Sequence, residues 1–184
     1  MRAFPAAKSR RRGRPGFTLI ETMIVLAILL VLLAAGLPDF RRLIQAQRLS
    51  VTVNEFFAAV MLARSEAIRR GAQVALVPAA AADWTAGWVV LVDGNGNQRP
   101  DPGEDIILVH GPAPAGMAIR LSISDSRHYL IYNAFGRSTN YRDTHFTRSG
   151  NWMFTLDGGR RKLIVNFLGR PRTCNPDAAK ANCK

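Results

Sequence analysis

Apolar residues fill 17–37 almost without interruption, and Glu21 is the single charge in that stretch of 21. A helix of that length spans the hydrocarbon core of a bilayer. After Pro38 the pattern changes. Apolar side chains at Phe40, Leu43, Ile44, Val53, Phe56, Phe57, Val60, Met61, Ala67 and Ile68 recur at helical spacing, which predicts an amphipathic helix with one face turned to a core. Gly71 is a suitable end for it, because glycine tolerates the positive φ of a helix C-terminus. The remainder alternates short apolar runs with clusters of Gly, Pro, Asn and Asp. Runs at 73–77, 88–92, 106–109, 119–123, 129–132, 152–156 and 163–168 predict seven strands. The fold class expected is α+β, a long N-terminal helix packed on antiparallel sheets. No internal repeat is apparent.

Charge sharpens the reading of the N-terminus. Residues 1–16 carry Arg2, Lys8, Arg10, Arg11, Arg12 and Arg14 and no acid. Basic residues before an apolar span favour a cytoplasmic N-terminus, which places everything after Pro38 across the membrane. The apolar run is too long for an ordinary secretory signal peptide, and no A-x-A-like cleavage site follows it. Glu21 has two readings. An ionised carboxylate inside a membrane costs about 2.5 to 3.5 kcal/mol and calls for a cationic partner, whereas one near the cytoplasmic interface costs little.

The stretch RPGFTLIETMIVLAIL resembles the class III signal of type IV pilins and pseudopilins. That resemblance implies cleavage by a prepilin peptidase after Gly16 and methylation of the new terminus at Phe17. It implies that Glu21 meets the charged terminus of a neighbouring subunit, and that the helix bends or loosens at Pro38. FFAAVMLARSEAIRRG, followed by GWVVLVDGNGN and DPGEDIILV, is similar to the GspH/FimT branch of these proteins. The branch implies a β-rich globular domain with a structural or binding role, other pilins or pseudopilins as partners, and no catalysis. The implied organisation is a cleaved leader over 1–16, a membrane-spanning helix half over 17–37, an amphipathic half over 38–71, a globular domain over 72–173, and a basic tail over 174–184. The chain would sit in the inner membrane with its globular domain in the periplasm, then pass into a fibre or to the cell surface.

A length of 184 residues allows one ordinary domain with an appendage, and 48% hydrophobic content argues against disorder. The net charge of +12 suggests an anionic partner. Half of that charge is the leader. From residue 17 to 136 nine basic residues face ten acidic ones, whereas 137–184 holds ten basic and three acidic, so the basic surface is C-terminal. Cys174 and Cys183 are the only cysteines, in a segment placed outside the cytoplasm, and they are expected to form a disulfide. With no histidine beside them a zinc site is disfavoured, and the spacing is not that of a redox pair. Asp93, Asn95, Asn97, Asp101 and Glu104 fall at oxygen-ligand positions of a calcium loop, but Gln98 replaces the turn glycine and Arg99 brings a positive charge into the ring. A polar hairpin loop is the better reading. His110, His128 and His145 are scattered, so no catalytic residue, metal or cofactor is assigned.

The sequence GRPR remains. Gly169 permits a tight turn after the last expected strand, and Pro171 narrows the directions open to Arg170 and Arg172. Guanidinium groups stay charged and present a planar fork of donors suited to phosphate. Arg160, Arg161 and Lys162 in the preceding turn, with Lys180 and Lys184 in the tail, would add to one positive field. A basic run is commonly just a solvated surface. GRPR, however, matches a G-R-x-R pattern that resembles the C-terminal DNA-binding signature of FimT-type minor pilins. The resemblance implies non-specific capture of double-stranded DNA by a type IV pilus for uptake in natural transformation. The alternative is a structural pseudopilin of type II secretion, or a minor pilin that initiates assembly without touching DNA. Tyr141, Phe146, Trp152 and Phe154 lie among Arg137, Arg142 and Arg148 and could stack on single strands, but strand alternation in a core explains them more simply.

Overall fold

The computed structural model of the chain describes residues 16–123, 128–141, 148–178 and 183, with the side chains of 34–39 outside that description. Helix α1 runs Leu19–Arg70. It is followed by β1 (Val74–Ala80), β2 (Asp83–Val92), β3 (Asp105–His110), β4 (Ala118–Ile123), β5 (Leu130–Tyr132), β6 (Ser138–Thr139), β7 (Gly150–Leu156), β8 (Gly159–Val165) and β9 (Pro171–Cys174). The α+β class and the antiparallel sheets are as expected. Two strands, β6 and β9, are additional, and β2 and β8 begin earlier than their apolar runs. Hydrogen-bond partners decide these differences: two or four residues carry no periodicity but pair with a neighbour already in place.

Both ends of α1 are closed by local chemistry. At the start, the Glu21 N–H donates to Thr18 Oγ1 at 3.3 Å, so Thr18 is the N-cap and TLIE has the sequence pattern of a capping box. At the end, Gly71 has φ +63, its N–H bonds Ile68 O, and the Ala72 N–H bonds Ala67 O, which is a Schellman motif. The expected loosening at Pro38 does not interrupt the helix, which is continuous through that position. Proline removes only one i to i−4 bond, and strong helix formers precede it.

The chain divides into two compact units, Met1–Phe40 and Arg41–Lys184. In the first, the described apolar side chains from Leu19 to Leu33 are exposed. Among the described residues no helix is long and apolar enough to cross a membrane.

The second unit holds two antiparallel sheets, ordered β3-β2-β1-β5-β6 and β4-β7-β8-β9. Leu49, Val53, Phe56, Val60, Ala63 and Ala67 of α1 pack with residues of both sheets in one core. At its centre the Phe56 ring lies 5.0 to 5.4 Å from the rings of Trp84, Trp88, Trp152 and Phe154. The core reading of Trp152 and Phe154 is therefore correct. Ala75, Val77, Val89, Leu91, Tyr129 and Ile131 form a second cluster on the opposite face of the first sheet, with Tyr141 against it. Strand β1 is accordingly buried on both faces. Pro78 sits in it beyond the register with β5, which ends at Leu76, so no partner on that side lacks a donor.

Candidate nucleic-acid interface

The GRPR sequence opens an edge strand. Asn166 N–H donates to Arg170 O at 3.2 Å and Gly169 N–H to Asn166 O at 2.8 Å, closing a three-residue loop between β8 and β9. Asn166 Oδ1 then accepts from the N–H groups of Leu168 and Arg170 at 3.1 and 2.9 Å. Gly169, at φ +75, occupies the left-handed position that such a loop requires. Register places Pro171 opposite Val165, Arg172 opposite Ile164, and Cys174 opposite Lys162. Proline at the start of an edge strand costs no ladder bond and discourages further pairing. Arg170 and Arg172 are both exposed, and residues two apart along an extended stretch share a face.

Of the other basic residues, those described do not all share that face. Arg160, Arg161 and Lys162 belong to β8 and not to a turn, and they alternate between its faces. Arg161 shares a face with buried Leu163 and Val165 and, with Ser50, Asn54 and Thr173, lines a cleft of about 370 Å³. Its guanidinium donates to Arg160 O at 2.9 Å. Arg160 and Lys162 are on the face of Arg172, but Arg160 is held by Asp177, with Nε to Oδ1 at 3.0 Å, and this pairing raises its pKa. Lys162 Nζ donates to Cys183 O at 3.2 Å. Asp177 is 17 residues from Arg160, a spacing that no local pattern reveals. Cys174 and Cys183 form the expected disulfide, their Cα atoms 5.7 Å apart, which brings the tail back beside β8. Lys180 and Lys184 lie outside the described residues.

The 93–104 loop is a polar hairpin loop knotted by its own side chains. The Asp93 carboxylate accepts from Gly96 N–H at 2.7 Å and Gln98 N–H at 2.9 Å. Asp101 accepts from Asn95 Nδ2 at 2.7 Å, and Tyr141 Oη donates to Asp93 O at 2.6 Å. No group of three or more His, Cys, Asp or Glu suited to a metal occurs among the described residues. His110 stacks on Trp88 at 3.8 Å and faces Glu55 at 3.2 Å. His145 lies outside the described residues. Gly16 and Phe17 precede α1 and are exposed, and Glu21 is exposed in its first turn.

The profile of the type II transport protein GspH matches residues 52–169. The chain belongs to the GspH family. A prokaryotic N-terminal methylation motif matches residues 11–37 of this GspH-family chain, a span that includes Gly16, Phe17 and Glu21. Pilin-like protein PilA1 of Thermus thermophilus is 31% identical over 164 residues, 86% of this chain and 97% of that protein. Among solved structures, the type IV minor pilin FimU of Pseudomonas aeruginosa superposes with a TM-score of 0.57 at 18% identity, over 72% of this chain and 92% of FimU. The minor pseudopilin EpsH of the Vibrio cholerae type 2 secretion system gives 0.50 at 13% identity, over 69% and 96%. At those identities the likeness is one of fold. The GspH-family fold is thus a type IV pilin-like helix on antiparallel sheets.

Proposed function

We propose that this chain is a minor pilin of a type IV pilus that binds DNA without sequence preference through Arg170 and Arg172. The observation that carries this reading is the built hairpin at 166–172, which holds two exposed guanidinium groups on one strand face. Phosphate contacts of this kind position a nucleic-acid backbone and read little sequence, and they make affinity fall steeply with salt. Lys162 and Arg160 flank the pair, with Arg160 shared with Asp177. At the other end of the chain, the leader is removed after Gly16 by a prepilin peptidase and Phe17 is methylated. The apolar segment holds the subunit in the inner membrane before assembly, and Glu21 contacts the terminus of a neighbouring subunit.

The test is fluorescence anisotropy of labelled duplex DNA with the chain beginning at Phe17, in detergent, across a salt series. Omitting 1–16 removes six basic residues that would bind DNA by themselves, and every core residue lies at Leu49 or beyond. Wild type should bind with a steep salt slope, and Arg170→Ala/Arg172→Ala should lower that slope by about 2, at roughly 0.9 per phosphate contact. Absence of binding at low salt would instead favour a structural minor pseudopilin. The GspH match and the exposed apolar face of 19–33, suited to packing between subunits, support that second reading.

A further inference from the structure

A short repeat emerges in three dimensions. NAFGR at 133–137 and NFLGR at 166–170 fold into the same turn. In the first, Asn133 N–H donates to Arg137 O at 3.0 Å, Gly136 N–H donates to Asn133 O at 2.8 Å, and Asn133 Oδ1 accepts from Phe135 and Arg137 N–H at 3.0 and 3.1 Å. Gly136 has φ +68, against +75 at Gly169. One turn joins β5 to β6 in the first sheet, the other β8 to β9 in the second.

The two turns meet. A methyl group on Gly169 would lie 2.5 Å from Gly136 O and 3.0 Å from Ser138 N, so the glycine backbones are in contact. Tyr132 Oη donates to Gly169 O at 2.9 Å, Ser138 Oγ to Asn166 O at 3.3 Å, and Arg64 Nε of α1 to Gly136 O at 2.9 Å. Each turn exposes a phenylalanine, Phe135 at 83% and Phe167 at 59%, and each is followed by an exposed arginine, Arg137 or Arg170. From Arg41 onward these are the two exposed Phe, Tyr or Trp rings among the described residues. No Asp or Glu occurs in 126–142 or in 158–176, so both hairpins are purely cationic.

We propose that the paired turns form one binding element for single-stranded DNA, with Arg137 joining Arg170 on the phosphates and Phe135 and Phe167 stacking on unpaired bases. The inference rests on the DNA-binding reading above and goes beyond it by naming a second turn and a strand preference. Cationic groups suit either form of DNA, but an exposed ring finds a π-face only where bases are unpaired. Sequence-tolerant stacking beside backbone contacts is the usual chemistry of single-strand binding.

The experiment compares labelled 20-mer oligothymidine with a blunt duplex of the same length, again using the chain from Phe17 in detergent. Phe135→Ala/Phe167→Ala keeps every charge and should weaken single-strand binding on the order of tenfold while leaving duplex binding within about twofold. Phe135→Trp/Phe167→Trp keeps the rings and should bind single strands at least as tightly as wild type. Arg137→Ala should weaken both and lower the salt slope by about 1, whereas Arg99→Ala, the same charge change on the 93–104 loop, should do neither. The side chains replaced are exposed, and thermal melts confirm that each variant is folded. Oligothymidine affinity unchanged by losing the rings, equal losses on both DNAs, or an Arg137→Ala indistinguishable from Arg99→Ala would overturn the inference. If Arg170→Ala/Arg172→Ala still lowered the duplex salt slope by about 2, the C-terminal grip would survive that failure. Wild type that binds neither DNA overturns both, and leaves the exposed rings as contacts between subunits.

Discussion

Gly169 meets two demands at once: its φ of +75 disfavours any side chain, and its Cα faces the backbone of Gly136. Gly169→Ala should therefore destabilise the protein by about 2 to 4 kcal/mol, combining left-handed strain with overpacking. Chemical denaturation measures this, and a change below about 0.5 kcal/mol would show that the two turns do not bear on each other. The conformational half of that demand was legible, since a glycine between a strand and GRPR asks for a tight turn. The packing half was not, because Gly136 lies 33 residues earlier in another sheet. Tyr132 illustrates the same division. Its hydroxyl donates to Gly169 O, and burial pushes its pKa upward, so it stays a donor through the physiological range. A tyrosine in an apolar run shows only that it belongs to a strand. Asp177, which pairs with Arg160 at the surface, gave no signal either, since an acid in a basic tail reads as an ordinary surface charge.

Elements with a clear period or cap were legible: α1 from its apolar stripe and Gly71, and β1, β3, β4 and β7 from apolar runs between turn residues. Short edge strands were not, because β6 and β9 exist through the hairpins that precede them. The repeated N-x-x-G-R was a missed signal, two five-residue segments with the same asparagine, glycine and arginine. It escapes a search for long periods because one loop is its whole extent. The C-terminal turn of α1 also carries a testable link to β3. Glu66 accepts from Arg69 and Arg70, and Arg70 pairs with Asp105 at the start of β3. Hydrogen bonds from Arg69 first, then Arg70, lower the Glu66 pKa from 4.5 to about 2. A depressed carboxylate contributes stability that is present above its ordinary value and lost as pH falls through its folded one. Between pH 4.5 and 2, the melting temperature of wild type should therefore fall more steeply than that of Glu66→Gln. Parallel curves would show that the network contributes nothing.

For the molecule as a whole, the question is how the N-terminal unit takes part in assembly. Glu21 stands three residues after the Thr18 N-cap, a position where glutamine can complete a capping box as well as glutamate, and it also supplies a charge. The two roles separate in fibres assembled in cells. If the charge contacts a neighbouring terminus, Glu21→Gln and Glu21→Ala should both leave the subunit membrane-inserted but depleted from fibres at least several-fold, measured by quantitative immunoblot of sheared pili. Incorporation restored by Gln would assign Glu21 to capping alone. The mass of the incorporated subunit should begin at a methylated Phe17, and retention of 1–16 would contradict leader removal.

Family, fold class, the α1 boundaries near Gly71 and the disulfide pair all followed from features within a few dozen residues of one another, where covalent connection, periodicity and capping chemistry dominate. The tertiary structure decided which charges share a face, which are already paired, and that two distant turns stand together. Those outcomes depend on strand register and on contacts between sheets. A shift of one residue would have turned Arg172 to the other face, and no local pattern records which of the two registers the packed core selects.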